Sequence, residues 1–143
     1  MESMRLHALS ALRIMSGLLV LQHGTTKYLS FPLSQMSNTQ LMSMSGAAGL
    51  IELVCGGLVV IGLFTRPAAF LLSGMTAVAY FYAHAHRGFF PLLNGGELAA
   101  LYSFVFLYLA AAGAGAWSID RILSGAGEQD FSPAAMPAAR GSA

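Results

Sequence analysis

The chain has 143 residues, of which 56% are hydrophobic and 9% charged, and its formal net charge is +1. Soluble domains carry about 25% charged residues, so this composition, with a mean hydropathy of +0.65, argues against a soluble domain and indicates a membrane protein. The absence of a basic patch argues against DNA or RNA as a partner. A single cysteine, Cys55, excludes an internal disulfide.

Four apolar stretches follow one another along the chain, and each has close to the roughly 20 residues that a helix needs to cross a bilayer. Because a spanning segment must satisfy its own backbone hydrogen bonds, all four are predicted to be helices. We therefore predict an all-α protein, an integral membrane four-helix bundle over residues 1–123, with spans at about 8–28, 46–64, 67–84 and 98–117. Residues 124–143, rich in Ala, Gly, Ser and Pro, are predicted to form a disordered cytoplasmic tail.

The distribution of basic residues predicts the orientation of the bundle. With four spans, the N-terminus, the turn at 65–67 and the C-terminus lie on one side of the membrane. That side holds four arginines, at positions 5, 66, 121 and 140, whereas the other side holds Lys27 and Arg87. Basic residues favour the cytoplasmic side, so both termini are predicted to be cytoplasmic.

Small and polar residues recur at helical spacing along each span, which predicts the faces that point into the bundle. Glycines on these faces let helices approach closely in a membrane. The predicted inward faces are Arg13, Gly17, Val20, Gly24 and Lys27 on the first span; Gly49, Glu52 and Gly56 on the second; Ser73, Ala77, Tyr80 and His84 on the third; and Glu97, Leu101, Phe104 and Tyr108 on the fourth.

Three polar residues near the outer ends of the first two spans are candidates for a functional site. At 1.5 Å per residue, His23 and Glu52 both lie roughly 8–9 Å below the outer surface. A buried acid is costly in a membrane, so Glu52 either handles a proton or pairs with Lys27 or His23. Lys27 could instead extend its amine to the membrane surface. His23 could donate to Glu52, bind a ligand carbonyl or relay a proton.

The sequence YFYAHAHRGFF, residues 80–90, places two histidines where the third span ends. His84 and His86 could hold one metal ion only if the helix has ended, because residues two apart point to nearly opposite sides of a helix. Copper, with methionines of the facing loop, and haem, through His23 and His84, are geometrically conceivable. Histidines and aromatic residues at the end of a span are more typical of an interface belt, so we predict neither.

The sequence NGGEL, residues 94–98, is typical of a helix start. Asn94 would be the N-cap and Glu97 its capping-box partner. Alternatively, Gly95 and Gly96 let a ligand approach the backbone while Glu97 handles a proton.

On the inner side of the membrane, two charges are predicted to form a structural pair. Arg13 lies in the inner half of the first span, near the point where Asp120 leaves the fourth. We therefore expect the inner side to be scaffold and the outer third of the bundle to hold the site.

Taken in order, several blocks of this sequence resemble the DoxX family of small four-helix membrane proteins. The blocks are Arg13 with Gly17, QHGTTKY, GLIELVCGGLVVIGLFTRPAA, NGGELAAL and GAGAWSID, which together span residues 13–120. The resemblance implies a multi-pass protein of the cytoplasmic membrane and a link to quinone redox chemistry. His23, Lys27, Glu52 and Glu97 fall within these blocks, which supports them as candidates.

The resulting hypothesis is a quinone-linked redox component of the cytoplasmic membrane. One form of this hypothesis is that the chain is a subunit of a quinone-linked oxidoreductase. Glu52 would shuttle a proton, His23 would hydrogen-bond a quinone carbonyl and Lys27 would stabilise negative charge. Tyr80, Phe81 and Tyr82 would form walls for the ring, and His84 would be a further polar partner. Asn94 and Glu97 would also bind the ligand. Electrons would come from a redox protein partner or a reduced donor. Two alternatives are a non-catalytic scaffold for a soluble redox enzyme and, as a homodimer, a proton-coupled transporter of a small solute.

Overall fold

The computed structural model describes residues 2–129, and this part of the chain is entirely helical apart from its turns and loops. Four long helices are α1 (Glu2–Leu29), α2 (Met44–Ile61), α3 (Thr65–Ala83) and α5 (Glu97–Ala112). A 3₁₀ turn at Ala85–Arg87 and a one-turn helix, α4 (Pro91–Asn94), connect α3 to α5. A last helix, α6, covers Ile119–Gln129.

The four long helices pack as two pairs. Helix α1 lies along α2, and α3 lies along α5, whereas α2 and α3 contact each other less extensively. Glycines make the first pair close: a Cβ added at Gly24 would lie 2.6 Å from the backbone nitrogen of Leu53, and one at Gly56 would lie 3.2 Å from the Cα of Leu21. Small residues thus set the approach of α1 to α2, as at other membrane helix interfaces.

The predicted inward faces are confirmed on α1 and α2, where all eight residues of the two stripes are buried. On α3 the buried stripe is instead Thr65, Ala68, Ala69, Leu72 and Thr76, and the predicted residues are only half-buried. On α5 the prediction is wrong, because Glu97, Leu101, Phe104 and Tyr108 are exposed, and the buried residues are Tyr102, Phe106 and Leu109. Helix α5 is apolar all round, so its sequence does not mark which face packs.

Within residues 2–129, three helices are long and apolar enough to cross a membrane: α1 over Ser3–Leu29, α2, and α3 together with the 3₁₀ turn, over Thr65–Arg87. Helix α5 is apolar but has only 16 residues. The predicted fourth span, 98–117, is therefore too long. Its C-terminal part is irregular because Gly113 and Gly115 take positive φ angles of 92° and 79°. The long helices expose large apolar side chains such as Leu18, Val54 and Phe70, as expected of a lipid-facing surface.

The predicted disordered tail begins inside α6, since that helix runs to Gln129. Residues 124–129 are therefore helical, contrary to the prediction. The rest of the predicted tail, residues 130–143, lies outside the described part of the chain.

One end of the bundle is closed around the turn between α2 and α3 and the segment 113–120, which we call the closed end. The Arg13 side chain is fully buried there and donates four hydrogen bonds to backbone carbonyls. Two acceptors, Val59 and Val60, belong to the last turn of α2, where carbonyls lack the N–H groups of a following turn; Val59 also accepts from the N–H of Gly62 at 3.2 Å. The others are Ala114, at 2.8 Å, and Trp117.

Asp120 stabilises the same turn from the opposite direction. Its carboxylate accepts hydrogen bonds from the backbone N–H groups of Phe64, at 2.8 Å, and Thr65, at 2.9 Å. Its own N–H donates to the carbonyl of Gly62 at 2.8 Å. Arg13 and Asp120 thus lie at the same end and attract each other electrostatically, as the sequence predicts. Their hydrogen bonds, however, go to the backbone: Arg13 caps the end of α2, and Asp120 caps the start of α3.

Candidate ligand site

At the other end the two helix pairs separate and enclose a cavity of about 790 Å³. We call this the cavity end. Its walls come from α1, α2, α3 and α5, and Met36 contributes from the loop between α1 and α2. Ligand pockets in proteins generally measure about 300–1,000 Å³ and are mostly apolar with a few polar groups. This cavity has that character, with polar side chains from His23, Lys27, Glu52, Thr76, His84 and Tyr102.

A buried ion pair forms part of the cavity wall. The Nζ atom of Lys27 lies 2.7 Å from Oε2 of Glu52, and the two side chains are 7% and 11% exposed. Gly49 makes room for this arrangement, because a Cβ there would lie 2.8 Å from Cδ of Lys27. Of the alternatives for Glu52, pairing with Lys27 is therefore observed. Lys27 is buried rather than extended to the membrane surface.

His23 lies one helical turn before Lys27 on α1 and lines the same cavity. Its side chain is half-buried and has no hydrogen-bond partner among the described residues. The predicted grouping of His23 with Glu52 at one level of the bundle is consistent with this position. His23 is free to donate to or accept from a molecule in the cavity.

His84 closes α3 and faces the cavity from the opposite wall. Its Nδ1 atom lies 3.2 Å from the carbonyl oxygen of Asn94. Asn94 is buried, donates from Nδ2 to the carbonyl of Gly88 at 2.8 Å, and accepts at Oδ1 from the N–H of Gly96 at 2.8 Å. Asn94 therefore orders the loop that orients His84, and it is not among the residues that line the cavity.

Most of the remaining predicted residues lie outside the cavity. Glu97 is exposed at the first position of α5, and the N-cap is Gly96, so the predicted capping box does not form. The Tyr80 hydroxyl accepts a hydrogen bond from Nδ2 of Asn94 at 3.4 Å, and its ring packs against Gly96. Of the aromatic residues expected as ring walls, Tyr82 alone lines the cavity. His86 is exposed in the 3₁₀ turn.

Tyr102 is a site residue that sequence reasoning missed. It is only 7% exposed, it stacks on Phe106 with the ring centroids 5.8 Å apart, and it lines the cavity from α5. Its hydroxyl has no hydrogen-bond partner among the described residues, although a buried tyrosine usually has one. Nothing in the sequence distinguishes Tyr102 from the other aromatic residues of this apolar helix, and the predicted inward face was a different one.

Within residues 2–129, no three His, Cys, Asp or Glu side chains are grouped so that they could hold a metal ion. Met36 and Met44 line the cavity with His23 and His84, but the histidines belong to separate walls. Cys55 is a buried free thiol in the core between the helices. Burial of this kind is typical of a cysteine that packs as a small apolar side chain.

Comparison with known proteins identifies the family. A family model described as DoxX matches residues 8–85. A Haemophilus influenzae protein, described only as an uncharacterized protein, is 46% identical over 125 residues, which cover 84% of this chain and 93% of that protein. The chain belongs to the DoxX family. No solved structure matches it.

The DoxX match includes α1, α2 and α3, and therefore the ion pair, His23 and His84. Tyr102 and the loop around Asn94 lie beyond the matched residues, as do two of the sequence blocks that suggested the family. Family membership and the apolar helices together make the chain a multi-pass membrane protein.

Proposed function

We propose that this DoxX-family chain is a quinone-linked redox component of the cytoplasmic membrane and that the quinone ring binds in the cavity. One observation carries the proposal: an apolar cavity of about 790 Å³ has a buried ion pair and an unpartnered histidine in its wall. A quinone is flat, apolar and soluble in lipid, and it presents only two carbonyl acceptors. The cavity offers apolar walls and several donors, so the chemistry of the site fits the group.

The donors differ in how they could hold a quinone. Lys27 uses one of its three N–H groups on Glu52 and keeps the others for a carbonyl oxygen. His23 and the Tyr102 hydroxyl are further donors in the cavity wall, and neither has a hydrogen-bond partner among the described residues. Charge-assisted hydrogen bonds are stronger than neutral ones, so Lys27 is the main polar contact and His23 and Tyr102 fix the orientation of the ring.

The bound quinone would supply the two-electron redox chemistry. Glu52 would accept and release a proton beside the cavity. Lys27 would balance the charge of the Glu52 carboxylate when it is ionised. His23, which is half-buried, can pass a proton between the cavity and the outside. The electron donor is a partner protein or a reduced small molecule.

The proposed topology has four spans with both termini in the cytoplasm. Helix α5, at 16 residues, would be about 24 Å long and would cross where the preceding loop reaches into the membrane. The closed end, with Arg66 and Arg121, then faces the cytoplasm, and the cavity end faces outward. The arginine distribution supports this orientation.

Quinone binding to the purified protein tests the proposal. Quinone that co-purifies with the detergent-solubilised protein is quantified, and the binding of an added quinone is measured for His23→Ala and Glu52→Gln. The matched controls are His86→Ala and Glu97→Gln, because these residues have the same chemistry but are exposed outside the cavity. An absorption spectrum of the same samples checks for haem.

The expected result is near-stoichiometric quinone that is lost in the two cavity variants and retained in the two controls. If wild-type protein neither contains nor binds quinone, the proposal is wrong. Recovery of a stable redox enzyme as a partner, with Glu52→Gln tolerated, would then support the scaffold alternative.

A further inference from the structure

Helices α2 and α3 both line the cavity with residues that are exposed at the surface, and we call the space between these residues the gap. Helix α2 contributes Ala47 and Ala48 to this gap, and α3 contributes Gly74 and Ala79. A Cβ added at Gly74 would meet nothing within 4 Å. Ala47 and Gly74, on opposite walls, are both exposed. Small side chains thus keep a lateral opening where two membrane-spanning helices would otherwise meet.

Polarity changes along the cavity from its inner wall to this opening. Lys27, Glu52 and the unpartnered hydroxyl of Tyr102, on a side chain only 7% exposed, lie on the inner helices α1, α2 and α5. Toward the surface α3 contributes Phe70, Leu71 and Val78, which are apolar and more than half exposed, and the more polar Tyr82 lies near the C-terminal end of the same helix. In a membrane these outer residues face hydrocarbon, so a polar head and an apolar chain are both accommodated.

We propose that the ligand is an amphiphile with a long prenyl or alkyl chain, and that this chain leaves the cavity between α2 and α3 into the lipid. The inference rests on the proposed function, because it assigns the ring of the same ligand to the inner wall. The ligand enters laterally from the bilayer. Because the chain comes from lipid rather than from water, its contacts with the walls of the gap contribute through van der Waals packing.

Two quinones with the same ring, one with a methyl group and one with a decyl chain, test this inference. Their dissociation constants are measured for the protein in lipid nanodiscs. Gly74→Leu and Ala47→Leu each narrow the gap from one wall. Gly57→Leu is the matched control, because a Cβ at Gly57 also meets nothing within 4 Å but Gly57 does not line the cavity.

We expect Gly74→Leu and Ala47→Leu to weaken binding of the decyl quinone at least tenfold and to change binding of the methyl quinone less than twofold. Gly57→Leu should change neither. An equal loss for both quinones, or unchanged binding of the decyl quinone in both variants, would overturn the chain exit while leaving quinone binding in place. If the wild type binds neither quinone, the proposed function fails and this inference fails with it.

Discussion

Arg13 and Lys27 are two buried cations on one face of the same helix, yet the two ends of the bundle treat them differently. At the closed end, the Arg13 guanidinium donates to backbone carbonyls of Val59, Val60, Ala114 and Trp117. At the cavity end, Lys27 has one acidic partner, Glu52, and its side chain lines the cavity. The same helical stripe therefore builds scaffold at one end and a candidate site at the other.

The difference follows from the chemistry of the two side chains. A guanidinium presents five N–H donors in a rigid fork, which suits several fixed carbonyls at once. An ammonium group is a compact charge on a flexible chain, which suits a partner or ligand that changes. Space matters as well: a Cβ added at Gly62 would lie 3.0 Å from Cζ of Arg13, so the guanidinium is tightly packed against the turn that follows α2.

The largest expected effect comes from breaking the closed end with Arg13→Met. Four backbone carbonyls would lose the guanidinium as a donor, and within the described part of the chain only that of Val59 keeps another, the N–H of Gly62. Each buried group left unsatisfied costs about 1–3 kcal/mol. We expect a loss of about 5 kcal/mol or more in the free energy of unfolding, measured by denaturation of the purified protein in mixed micelles. Arg13→Lys should restore only part of this stability, because one ammonium group cannot reach the carbonyls of α2 and those of the segment 113–120 at the same time.

Arg121→Gln is the control for this prediction, since Arg121 is exposed at the same end. It should change stability by less than about 0.5 kcal/mol. An Arg13→Met protein as stable as the control would show that the guanidinium is not the scaffold element described above.

The inward faces of the helices show how much of the fold could be predicted from sequence. The glycine and polar stripes of α1 and α2 gave the correct inward faces, because small residues have a physical reason to lie at a helix interface. Helix α5 has neither glycine nor a charge after Glu97, so its exposed Leu101 and Phe104 could not be distinguished from buried Phe106. The end of α5 depended on the positive φ angles of Gly113 and Gly115, which spacing alone does not reveal.

The second prediction sharpens the comparison at the cavity end. Removing one member of a buried ion pair leaves the other charge uncompensated, which costs about 3–5 kcal/mol. We expect Lys27→Met to lower the free energy of unfolding by about 3 kcal/mol, and Lys27→Met with Glu52→Gln to recover most of that loss. Denaturation of the two single variants and the double variant gives the coupling energy.

If the double variant is no more stable than Lys27→Met, the two residues do not act as a pair. Quinone binding should be lost in all three variants, including the stable double variant. This separation of stability from binding is what distinguishes the cavity end from the closed end.

The candidate site was only partly predictable for the same physical reasons. His23, Lys27 and Glu52 could be found because polar residues in an apolar span are costly and therefore conspicuous. Tyr102 could not, because an aromatic residue in an apolar helix is ordinary. Asn94 was predicted as the N-cap of the helix and as a ligand-binding residue, whereas the N-cap is Gly96 and Asn94 orders the preceding loop. Its bond to Gly96 and its contact with His84 depend on a turn that the sequence does not specify.

The third prediction concerns the contact that joins the two ends along α1. Gly24 lies against Leu53 so closely that Gly24→Ala must push α1 away from α2, and overpacking of this kind costs about 1–3 kcal/mol. We expect about 2 kcal/mol from denaturation. Gly57→Ala, on the open side of α2, should be neutral or slightly stabilising, because alanine is the better helix former. Equal effects of the two substitutions would contradict the close packing of the first pair.

The smallest effect is expected at Asp120, and it depends on pH. Burial alone would raise the pKa of Asp120, but the N–H groups of Thr65 and Phe64 and the charge of Arg13 outweigh burial and lower it. A carboxyl group whose pKa is lower in the folded state stabilises the fold above its unfolded pKa, about 3.9, and loses that contribution as the pH falls through the folded pKa. Asp120→Asn should therefore cost about 1 kcal/mol of unfolding free energy at pH 7, the usual value of a helix cap, and the difference from wild type should shrink below about pH 4.

Measurements of the free energy of unfolding at pH 7 and pH 3 check this prediction, with Glu97→Gln, an exposed acid at the cavity end, as the control. A difference that does not change with pH would mean that Asp120 acts through its shape rather than its charge, and that the closed end depends on Arg13 alone for its electrostatics.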